Sequence, residues 1–334
     1  MILLTGCAGF IGFHLAAELL NRGEALIGFD SLNDYYDISL KYSRLAELGI
    51  NKTAISDHLP VQSAKYQNFR FIKGNLEDLE FIRTMFSTYS FKKVVHLAAQ
   101  AGIRHSLNFP REYLNANIIG FYNLLETVAD AKIEHFIYAS SSSVYGNSNS
   151  IPFNEEERND FPLSMYAASK KTNELLAHAF STTKGLRTTG LRFFTVYGPW
   201  GRPDMTPFLF TDAILKGYPI KLFNEGNLSR DFTYITDIVH GILLVVNTIS
   251  RNEPFEVFNI GNGKPVELFD FIGELEQALG KKAVIDLLPK QIGELDNTWA
   301  NTSKFEIAYG FKSSVGINTG ITNFVAWYRD FYKI

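Results

Sequence analysis

The sequence predicts an α/β protein whose larger part is a doubly wound parallel sheet, followed by a smaller mixed α/β region. Three observations predict this class. Short apolar runs typical of buried strands alternate with helical stretches as far as about residue 192. A glycine-rich turn joins the first strand to the first helix, and beyond residue 193 the alternation loosens. Strands and helices that alternate in this way form parallel sheets with helices on both faces.

The start of the chain predicts a strand, a glycine turn and a helix. Residues 2–4 are apolar, Gly6, Gly9 and Gly12 follow at spacings of three, and Gly23 ends a stretch of helical periodicity. Glycine at these positions permits a tight turn, a close approach of backbone to phosphate and close helix–strand packing. The amides and the dipole at the helix start favour an anion. We therefore predict a Rossmann-type cradle for a dinucleotide pyrophosphate, formed by Gly6, Gly9, Phe10, Ile11 and Gly12.

The second predicted strand indicates which dinucleotide binds. It covers residues 25–29 and ends in Asp30, which stands 18 residues after Gly12. This is close to the distance of ~20 residues expected for an acid that binds the adenosine ribose. Its negative charge would repel a 2′-phosphate, so the sequence predicts NAD rather than NADP as the cofactor.

The remaining elements of the larger part follow the same pattern. The long connection between residues 31 and 68 is predicted to be an ordered insertion with a helix near residues 38–48. The other predicted elements are strands at residues 69–72, 93–97, 135–139 and 188–193, and helices at residues 79–86, at residues 113–131 and from about residue 165. Ligands of such sheets lie off the carboxyl ends of the strands. The loops expected to form the site contain Gly6, Ala98, Ser140 and Phe194.

The loosened pattern after residue 193 predicts a second domain. A glycine- and proline-rich loop at residues 198–203 is followed by helices and by short strands such as residues 256–260. We predict a larger, cofactor-binding domain of residues 1–192 with about residues 232–259, and a smaller, substrate-binding domain of residues 193–231 and 260–334.

Composition and charge exclude several classes of function. The 334 residues are 46% hydrophobic and 20% charged, which is typical of a globular protein. The net charge of −3 provides no basic field for nucleic acid. No apolar run reaches the ~20 residues of a membrane span. The single cysteine, Cys7, cannot form an internal disulfide, and no signal-peptide pattern opens the chain. We expect a cytoplasmic enzyme that binds neither nucleic acid nor membrane.

A tyrosine and a lysine on one helix face suggest proton transfer. Tyr166 and Lys170 are four residues apart, so their side chains share a face of the predicted helix. Free tyrosine has a pKa near ~10, and a nearby ammonium lowers it. Tyr166 is thus suited to take a proton from an alcohol while a hydride leaves its carbon. The run Ser140–Ser143 follows a strand and offers four hydroxyls to a substrate hydroxyl or carboxylate.

Together these motifs carry a family resemblance. The chain resembles the extended short-chain dehydrogenase/reductases, within them the NAD-dependent nucleotide-sugar epimerases, and among these UDP-glucuronate 4-epimerases most. The resemblance covers nearly the whole chain. The stretches that carry it, beside the glycine loop, the serine run and the tyrosine–lysine pair, are residues 33–36, 96–104, 191–204 and 230–234.

The resemblance implies roles for particular residues. Tyr166 matches the catalytic base, Lys170 its helper, and Ser141, 25 residues before Tyr166, the hydroxyl that hydrogen-bonds the reacting 4-hydroxyl. The predicted cofactor contacts beyond the glycine loop are Asp30, Asn75, Leu76, Leu97, Ala98, Ala99 and Lys170. The implied substrate contacts are Arg104, Ser141, Ser142, Ser143, Tyr166, Thr195, Arg202, Arg230 and Gln291. No metal site is predicted.

The residues that follow Ser141 indicate which of the reactions known for such families this chain would catalyse. Dehydrating relatives carry an acidic pair after the catalytic hydroxyl and decarboxylating relatives a glutamate, whereas this chain has Ser142 and Ser143. The resemblance therefore implies 4-epimerisation of UDP-glucuronate to UDP-galacturonate through a 4-keto sugar. Ser142, Ser143 and Thr195 would bind the C5 carboxylate. The alternatives are 4-epimerisation of a neutral or N-acetylated UDP-hexose, UDP-glucuronate decarboxylation, 4,6-dehydration of a nucleotide sugar, and a non-catalytic NAD sensor.

Some positions depart from the family pattern. Asn75, Glu294 and Asn301 stand where relatives carry aspartate.

The helices predicted at residues 113–131 and 165–180 are candidates for a homodimer interface, because members of this family commonly pair through such helices.

Overall fold

The computed structural model describes residues 1–148, 150–157, 160–248, 253–289 and 297–334. The strands, in chain order, are β1 (Ile2–Thr5), β2 (Leu26–Asp30), β3 (Pro60–Gln62), β4 (Phe69–Lys73), β5 (Lys93–His96), β6 (His135–Ser141), β7 (Thr188–Phe193), β8 (Thr195–Tyr197), β9 (Pro219–Leu222), β10 (Ser229–Tyr234), β11 (Phe255–Ile260), β12 (Pro265–Glu267), β13 (Val284–Leu287) and β14 (Asn297–Thr298).

The helices include one segment with π geometry. The α-helices are α1 (Phe10–Asn21), α2 (Ser39–Glu47), α3 (Leu79–Thr88), α4 (Ile103–Asn108), α5 (Pro110–Tyr113), α6 (Gly120–Asp130), α7 (Met165–Lys184), α8 (Thr206–Lys216), α9 (Ile235–Asn247), α10 (Leu268–Leu279), α11 (Ser303–Tyr309) and α12 (Ile317–Tyr332). A π-helical segment, Leu114–Ile119, joins α5 to α6, and a 3-10 turn, Ser142–Tyr145, follows β6. Among the described residues, no helix combines the length and the apolar character needed to span a membrane.

An eight-stranded sheet in the order β11-β7-β6-β5-β1-β2-β4-β3 forms the centre of the first part. The pairs β1–β2, β1–β5, β2–β4 and β5–β6 are parallel, and the short edge strand β3 runs antiparallel to β4. The predicted doubly wound fold is therefore confirmed, with one edge strand that the sequence pattern did not indicate. The chain order reverses between β1 and β5, and ligands of such sheets bind at that switch point.

The middle of the strands is apolar and fully buried. Leu3, Ile27, Val94 and Phe136 lie on neighbouring strands and belong to one hydrophobic cluster. At ~25 cal/mol per Å² of buried apolar surface, this cluster is the main source of stability for the sheet. The loops at the carboxyl ends of the strands are thereby held by a rigid support.

The chain divides into two compact units. The first comprises Met1–Gly146, Arg158–Arg192 and Gly241–Phe258, and the second Asn147–Glu157, Phe193–His240 and Asn259–Ile334. Residues 147–157 and 232–240, which we predicted to lie in the larger domain, thus group with the second unit. For the first of these segments the reason is pairing: the Phe153 amide donates to the Trp299 carbonyl at 2.9 Å, and the Asn301 amide donates to the Phe153 carbonyl at 2.9 Å. The cofactor- and substrate-binding roles of the two domains stay predictions.

The second unit is built on smaller sheets. β10 pairs with β12 antiparallel and with β14 and β8 in parallel, and β9 pairs with β13 in parallel. An aromatic cluster lies around α12, where Trp200 packs on Trp327 with ring centroids 5.3 Å apart.

The predicted helix at residues 113–131 is interrupted. The π segment Leu114–Ile119 stands between α5 and α6. It carries Asn117, whose side chain is fully buried and hydrogen-bonded to residues outside the helix. A widened turn of this kind is common at functional sites.

Candidate active site

The glycine loop between β1 and α1 has the geometry of a phosphate cradle. Gly6 has φ +74°, and a Cβ there would lie 2.6 Å from the Ala98 amide nitrogen. A Cβ on Gly12 would lie 2.0 Å from the Gly6 carbonyl oxygen, so only glycine fits. The first helical amides have no intrahelical partner. The first turn of α1, all of it described, contains no acidic side chain. The residues present therefore fit a dinucleotide pyrophosphate.

Asp30 lies directly beside this loop. It ends β2 and is buried, its Oδ2 accepts from the Ala8 amide at 3.1 Å, and its Oδ1 accepts from the Leu32 amide at 2.9 Å. Each carboxylate oxygen has a second lone pair for a ribose hydroxyl. The arrangement fits the ribose-binding role predicted from spacing, which stays a prediction.

The other predicted cofactor residues follow the carboxyl ends of β4 and β5. Leu97, Ala98 and Ala99 come after β5 and are half-buried. After β4, Leu76 is buried and Asn75 is exposed, with its Oδ1 accepting from the Glu77 amide at 3.1 Å. Since β1, β2, β4 and β5 are parallel neighbours, all these loops lie at one edge of the sheet.

The insertion at residues 31–68 contributes buried cations that sequence reasoning missed. Arg44 on α2 is fully buried, and its Nη1 donates to the Ala8 carbonyl at 2.9 Å and to the Tyr36 hydroxyl at 2.7 Å. Lys41, also buried, donates to the Asn33 carbonyl at 2.7 Å. The Asn33 side chain in turn donates to Gln100 Oε1 at 3.1 Å. The insertion thus connects the glycine loop with the loop after β5.

Tyr166 and Lys170 lie one turn apart near the start of α7. The Ser164 hydroxyl caps this helix by accepting from the Ala167 amide at 3.1 Å. Lys170 is only 2% exposed, its Nζ donates to the Ala139 carbonyl at 2.8 Å, and burial lowers its pKa to about 8. Tyr166 is half-buried, and its ring meets the Tyr113 ring edge-on at 6.1 Å.

A buried amide fixes the position of this helix. Asn117 Nδ2 donates to the Ser169 hydroxyl at 3.0 Å and to the Gln100 carbonyl at 2.9 Å, and its Oδ1 accepts from the Gln100 amide at 2.8 Å. The Ser169 hydroxyl donates to the Tyr166 carbonyl at 2.8 Å. The π segment therefore links the cofactor loop to the tyrosine turn. The available signal was the asparagine Asn117 between the apolar residues Ala116 and Ile118.

His96 ends β5 under the same loops and is neutral. Its Nδ1 lies 2.8 Å from the Thr5 hydroxyl, which also accepts from the Ala98 amide at 3.3 Å. Burial, and then the charge of Lys170, lower the pKa of His96 to about 3. At neutral pH His96 can therefore orient the loop but cannot act as a cationic acid.

Within the serine run, the side chains of Ser140 and Ser141 point to two different faces of β6. Successive residues of a strand point to opposite faces. Ser140 donates to Glu174 Oε1 at 2.6 Å, so this hydroxyl is engaged inside the protein and not offered to a substrate. Ser141 Oγ accepts from the Ser143 amide at 3.2 Å and the Ser143 hydroxyl at 3.0 Å. Ser142 and Ser143 are half-buried in the 3-10 turn.

The remaining predicted substrate residues that the structure describes are Arg104 in the first unit and Thr195, Arg202 and Arg230 in the second. Arg104 lies in the first turn of α4 in the first unit. Thr195 begins β8, opposite Phe232 of β10, and is half-buried. Arg202 Nε donates to Asp204 Oδ1 at 3.0 Å, and Arg230 Nη1 donates to the Ser229 carbonyl at 2.9 Å.

Two buried or capping groups order the loops of the second unit. Asp231, which sequence reasoning did not single out, is fully buried and accepts from the amides of Asn262, Gly263 and Ala300 at 2.8–3.1 Å. Asn301 Oδ1 accepts from the Ser303 amide at 3.0 Å. Gln291 and Glu294 lie outside the described residues.

Comparison with known proteins agrees with this geometry. The model of the NAD dependent epimerase/dehydratase family matches residues 2–261. The chain belongs to this family. It is 45% identical to Protein CapI of Staphylococcus aureus over 99% of both chains. It is 41% identical to the probable UDP-glucuronate 4-epimerase of Rhizobium meliloti, over 99% of this chain and 97% of that one.

A solved structure of the same family has the same fold. It is UDP-glucuronic acid 4-epimerase from Bacillus cereus in complex with UDP-glucuronic acid and NAD, with TM-score 0.88, 31% identity and 99% of each chain covered. The family resemblance and the cofactor inferred from the glycine loop and Asp30 are thus confirmed. This member of the NAD dependent epimerase/dehydratase family is an enzyme whose cofactor is NAD. The individual site residues stay predictions.

Proposed function

We propose that this enzyme is a UDP-glucuronate 4-epimerase, which interconverts UDP-glucuronate and UDP-galacturonate through a 4-keto sugar. One observation carries the proposal: the end of β6 and the turn after it present the hydroxyls of Ser141, Ser142 and Ser143, with no acidic side chain among them, beside α7. Relatives named as UDP-glucuronate 4-epimerases support the substrate.

The first step is removal of a proton from the sugar 4-hydroxyl. NAD, which the glycine loop and Asp30 would hold, would supply the group that takes a hydride from C4 and returns it to the opposite face of the sugar. Tyr166 takes the hydroxyl proton, and the Lys170 ammonium one turn along α7 favours the phenolate. Ser141 donates to or accepts from the same oxygen and so holds C4 in position. On the return step Tyr166 gives the proton back, so the enzyme ends each cycle unchanged.

The turn after β6 would then protect the carboxylate of the 4-keto sugar. Such a sugar is a β-keto acid and loses carbon dioxide when the C5–C6 bond aligns with the carbonyl π system. Hydroxyls of Ser142 and Ser143 can hydrogen-bond the carboxylate and hold it out of that alignment. Serine hydroxyls cannot act as an acid or base near pH 7, so they do not promote elimination.

Recognition of the nucleotide rests on cationic and polar side chains. Guanidinium groups suit phosphate oxygens, because their donors form a planar fork. We propose Arg104, Arg202, Arg230 and Gln291 for the diphosphate side of the substrate, and Thr195 for the carboxylate.

We also propose that the enzyme is a homodimer. Large apolar side chains are exposed along the π segment, α6 and α7: Leu114, Ile119, Tyr122 and Leu175. Leu175, near the middle of α7, is 61% exposed and is part of this apolar patch. Sedimentation equilibrium of the protein and of a Leu175→Glu variant tests this: the variant is expected to be monomeric, and a monomeric parent protein would contradict the proposal.

We place the enzyme in the cytoplasm. Its single cysteine, Cys7, is a buried free thiol inside the cofactor loop, where burial raises its pKa, and a chain without disulfides fits a reducing compartment. Fractionation of expressing cells, with the protein followed by immunoblot, checks this; recovery with membranes or in the medium would contradict it.

The substrate is tested by incubating the purified protein with UDP-glucuronate and NAD and separating the products. We expect an equilibrium mixture with UDP-galacturonate. UDP-xylose or a UDP-4-keto-pentose as the main product would show that the enzyme decarboxylates UDP-glucuronate and does not epimerise it. Inertness towards UDP-glucuronate with turnover of UDP-glucose or UDP-N-acetylglucosamine would transfer the proposal to a neutral sugar. No turnover of any UDP-sugar would overturn it.

A further inference from the structure

A buried ion pair contacts both ends of residues 140–145, which we call the serine turn. This pair has no part in the chemistry described so far. Arg192 near the end of β7 and Glu174 on α7 have side chains that are each 5% exposed. Arg192 Nε donates to Glu174 Oε1 at 2.8 Å, and Nη2 donates to Oε2 at 2.8 Å. Both carboxylate oxygens are thus engaged in a planar, two-pronged contact.

The same pair contacts the serine turn at both of its ends. At the start, Ser140, the residue before Ser141, donates to Glu174 Oε1 at 2.6 Å. At the finish, Arg192 Nη1 donates to the Tyr145 hydroxyl at 2.9 Å, and its guanidinium lies 4.8 Å from the centre of the Tyr145 ring. The residues between these two anchors include Ser141, Ser142 and Ser143.

The pair also connects this turn to the helix that carries the base. Tyr166, Lys170 and Glu174 follow one another at spacings of four along α7, so they form a single stripe. A shift of Glu174 relative to Ser140 is therefore a shift of Tyr166 relative to Ser141. Three elements, β6, α7 and β7, are held in register by one guanidinium and one carboxylate.

Stability alone gives a poor account of such a pair. Removing two charges from water is costly, and well-packed apolar residues of similar volume often stabilise a protein as well or better. What an ion pair with four directed hydrogen bonds supplies in addition is a defined distance between the groups it joins.

We infer that Arg192 and Glu174 are positioning residues that hold Ser141–Ser143 in register with Tyr166 and Lys170, and so decide whether the 4-keto sugar is returned or decarboxylated. The inference deepens the proposed function and rests on it. If the turn moves, the carboxylate is released from its hydroxyls. The C5–C6 bond then breaks, carbon dioxide leaves, the electron pair of that bond enters the enolate, and protonation at C5 by water gives a UDP-4-keto-pentose. Return of the hydride first removed from C4 reduces this ketone to a UDP-pentose, so that the cofactor ends the cycle as NAD.

Two mild variants test this without leaving a charge unpaired. Ser140→Ala removes the donor at one end of the turn, and Tyr145→Phe removes the hydroxyl at the other, while the ion pair itself stays intact. The matched control is Thr189→Val. It removes a buried hydroxyl that lies 2.8 Å from His135 Nε2, between the same two strands β6 and β7 but at their opposite ends.

We expect Ser140→Ala and Tyr145→Phe each to lower kcat with UDP-glucuronate by about tenfold and to raise the pentose fraction of the product by a similar factor. NAD content is expected to match that of the parent protein. Thr189→Val is expected to lower the thermal midpoint by about as much as Ser140→Ala and Tyr145→Phe do. It should leave kcat and the product ratio unchanged. Arg192→Lys keeps the charge without the planar fork, and is expected to leak more pentose than either variant.

The outcomes separate this inference from the proposed function. If Ser140→Ala, Tyr145→Phe and Arg192→Lys all keep the parent product ratio and kcat, as the control does, the positioning role is overturned. If the parent protein itself does not act on UDP-glucuronate but epimerises UDP-glucose, the proposed substrate is wrong. The positioning role is then judged from kcat with UDP-glucose, which must fall in the three variants and not in Thr189→Val.

Discussion

The two units of the molecule support their functional side chains in different ways. In the first unit Lys170 and Ser141 are buried side chains on the long elements α7 and β6, and Lys170 is fixed by a carbonyl of a neighbouring strand. In the second unit Thr195 begins a strand of three residues, and Arg202 is bonded to Asp204 only two residues away. Groups that must meet a reacting atom need a fixed position, whereas groups that bind a charged substrate can change partner when it arrives. We therefore expect substitutions of Tyr166, Lys170 and Ser141 in the first unit to act on kcat, and those of Thr195 and Arg202 in the second unit to act on KM.

The strongest test of this contrast is removal of the phenolic hydroxyl. Tyr166→Phe keeps the ring that packs on Tyr113 but removes the group that exchanges the proton. We expect kcat to fall by about 10³-fold, with KM and NAD content little changed. Tyr66→Phe is the matched control, since the Tyr66 hydroxyl donates to Asn21 at 3.0 Å on the surface. Retention of more than about a tenth of the activity in Tyr166→Phe would show that another group is the base.

Two glycines, one in each unit, have no space for a Cβ atom, so their substitution tests the same contrast at the backbone. A Cβ on Gly12 would lie 2.0 Å from the Gly6 carbonyl oxygen, and a Cβ on Gly320 of α12 would lie 2.1 Å from the Tyr197 hydroxyl. Overpacking costs about 1–3 kcal/mol in either place, and 1.4 kcal/mol corresponds to about tenfold in affinity.

In Gly12→Ala the clash is with the cofactor loop itself, so we expect NAD affinity to fall by about 10- to 100-fold in a titration. In Gly320→Ala the neighbour is the tip of a side chain in the second unit. That variant is expected to lose thermal stability and to keep the parent affinity for NAD. Parent-like NAD binding by Gly12→Ala would contradict the role assigned to the loop.

The features that could be predicted from the sequence are those fixed by near neighbours. The apolar run of β1, the spacing of Gly6, Gly9 and Gly12, and the acid at the end of β2 each depend on a few consecutive residues, and together they indicated the fold and the cofactor. The separation of Tyr166 and Lys170 by one helical turn is equally local.

The features that escaped prediction depend on partners far away in the chain. The π segment carries Asn117, whose side chain bonds residues 17 and 52 positions away. Whether Ser140 or Ser141 faces the substrate depends on Glu174, which the pattern of a serine run does not reveal. The segment around Phe153 pairs with Ala300, and this long-range contact places it in the second unit.

The buried lysine predicts a pH dependence that distinguishes the first unit. Burial lowers the pKa of Lys170 to about 8, so the ammonium is lost above that pH. We expect kcat to decline above about pH 8, approaching about tenfold per pH unit. Because the ordinary value is 10.5, the unfolded chain holds this proton more tightly, and stability should rise with pH between about 8 and 10.5.

The control for the pH dependence is Lys170→Arg, whose guanidinium stays charged throughout. Its plateau activity is expected to be lower, but the decline above pH 8 and the gain in stability should both disappear. A kcat profile of the same shape in both proteins would show that another group controls the alkaline limb. Denaturant titrations on either side of pH 8 measure the stability difference.

Thr195 tests the second unit. Thr195→Ala is expected to raise KM for UDP-glucuronate, or to increase the pentose fraction, by about tenfold, because a hydrogen bond to a charged group is worth about 1.5–3 kcal/mol. Thr195→Ser keeps the hydroxyl and should behave as the parent protein does. If kcat falls while KM and product ratio stay constant, Thr195 belongs functionally with the groups of the first unit and the contrast fails at this position.

The smallest expected effect concerns Asn75, the position at which the family resemblance implies an aspartate in relatives. Asn75 is exposed, and its Oδ1 already accepts from the Glu77 amide. Asn75→Asp keeps that bond and adds a charge that can strengthen a contact to the adenine amino group, so NAD should bind about two- to threefold more tightly. Asn75→Ala removes the acceptor and should weaken binding. Unchanged affinity in both variants would mean that this side chain does not hold adenine. Recognition of the base would then fall to the buried Leu76 and its backbone.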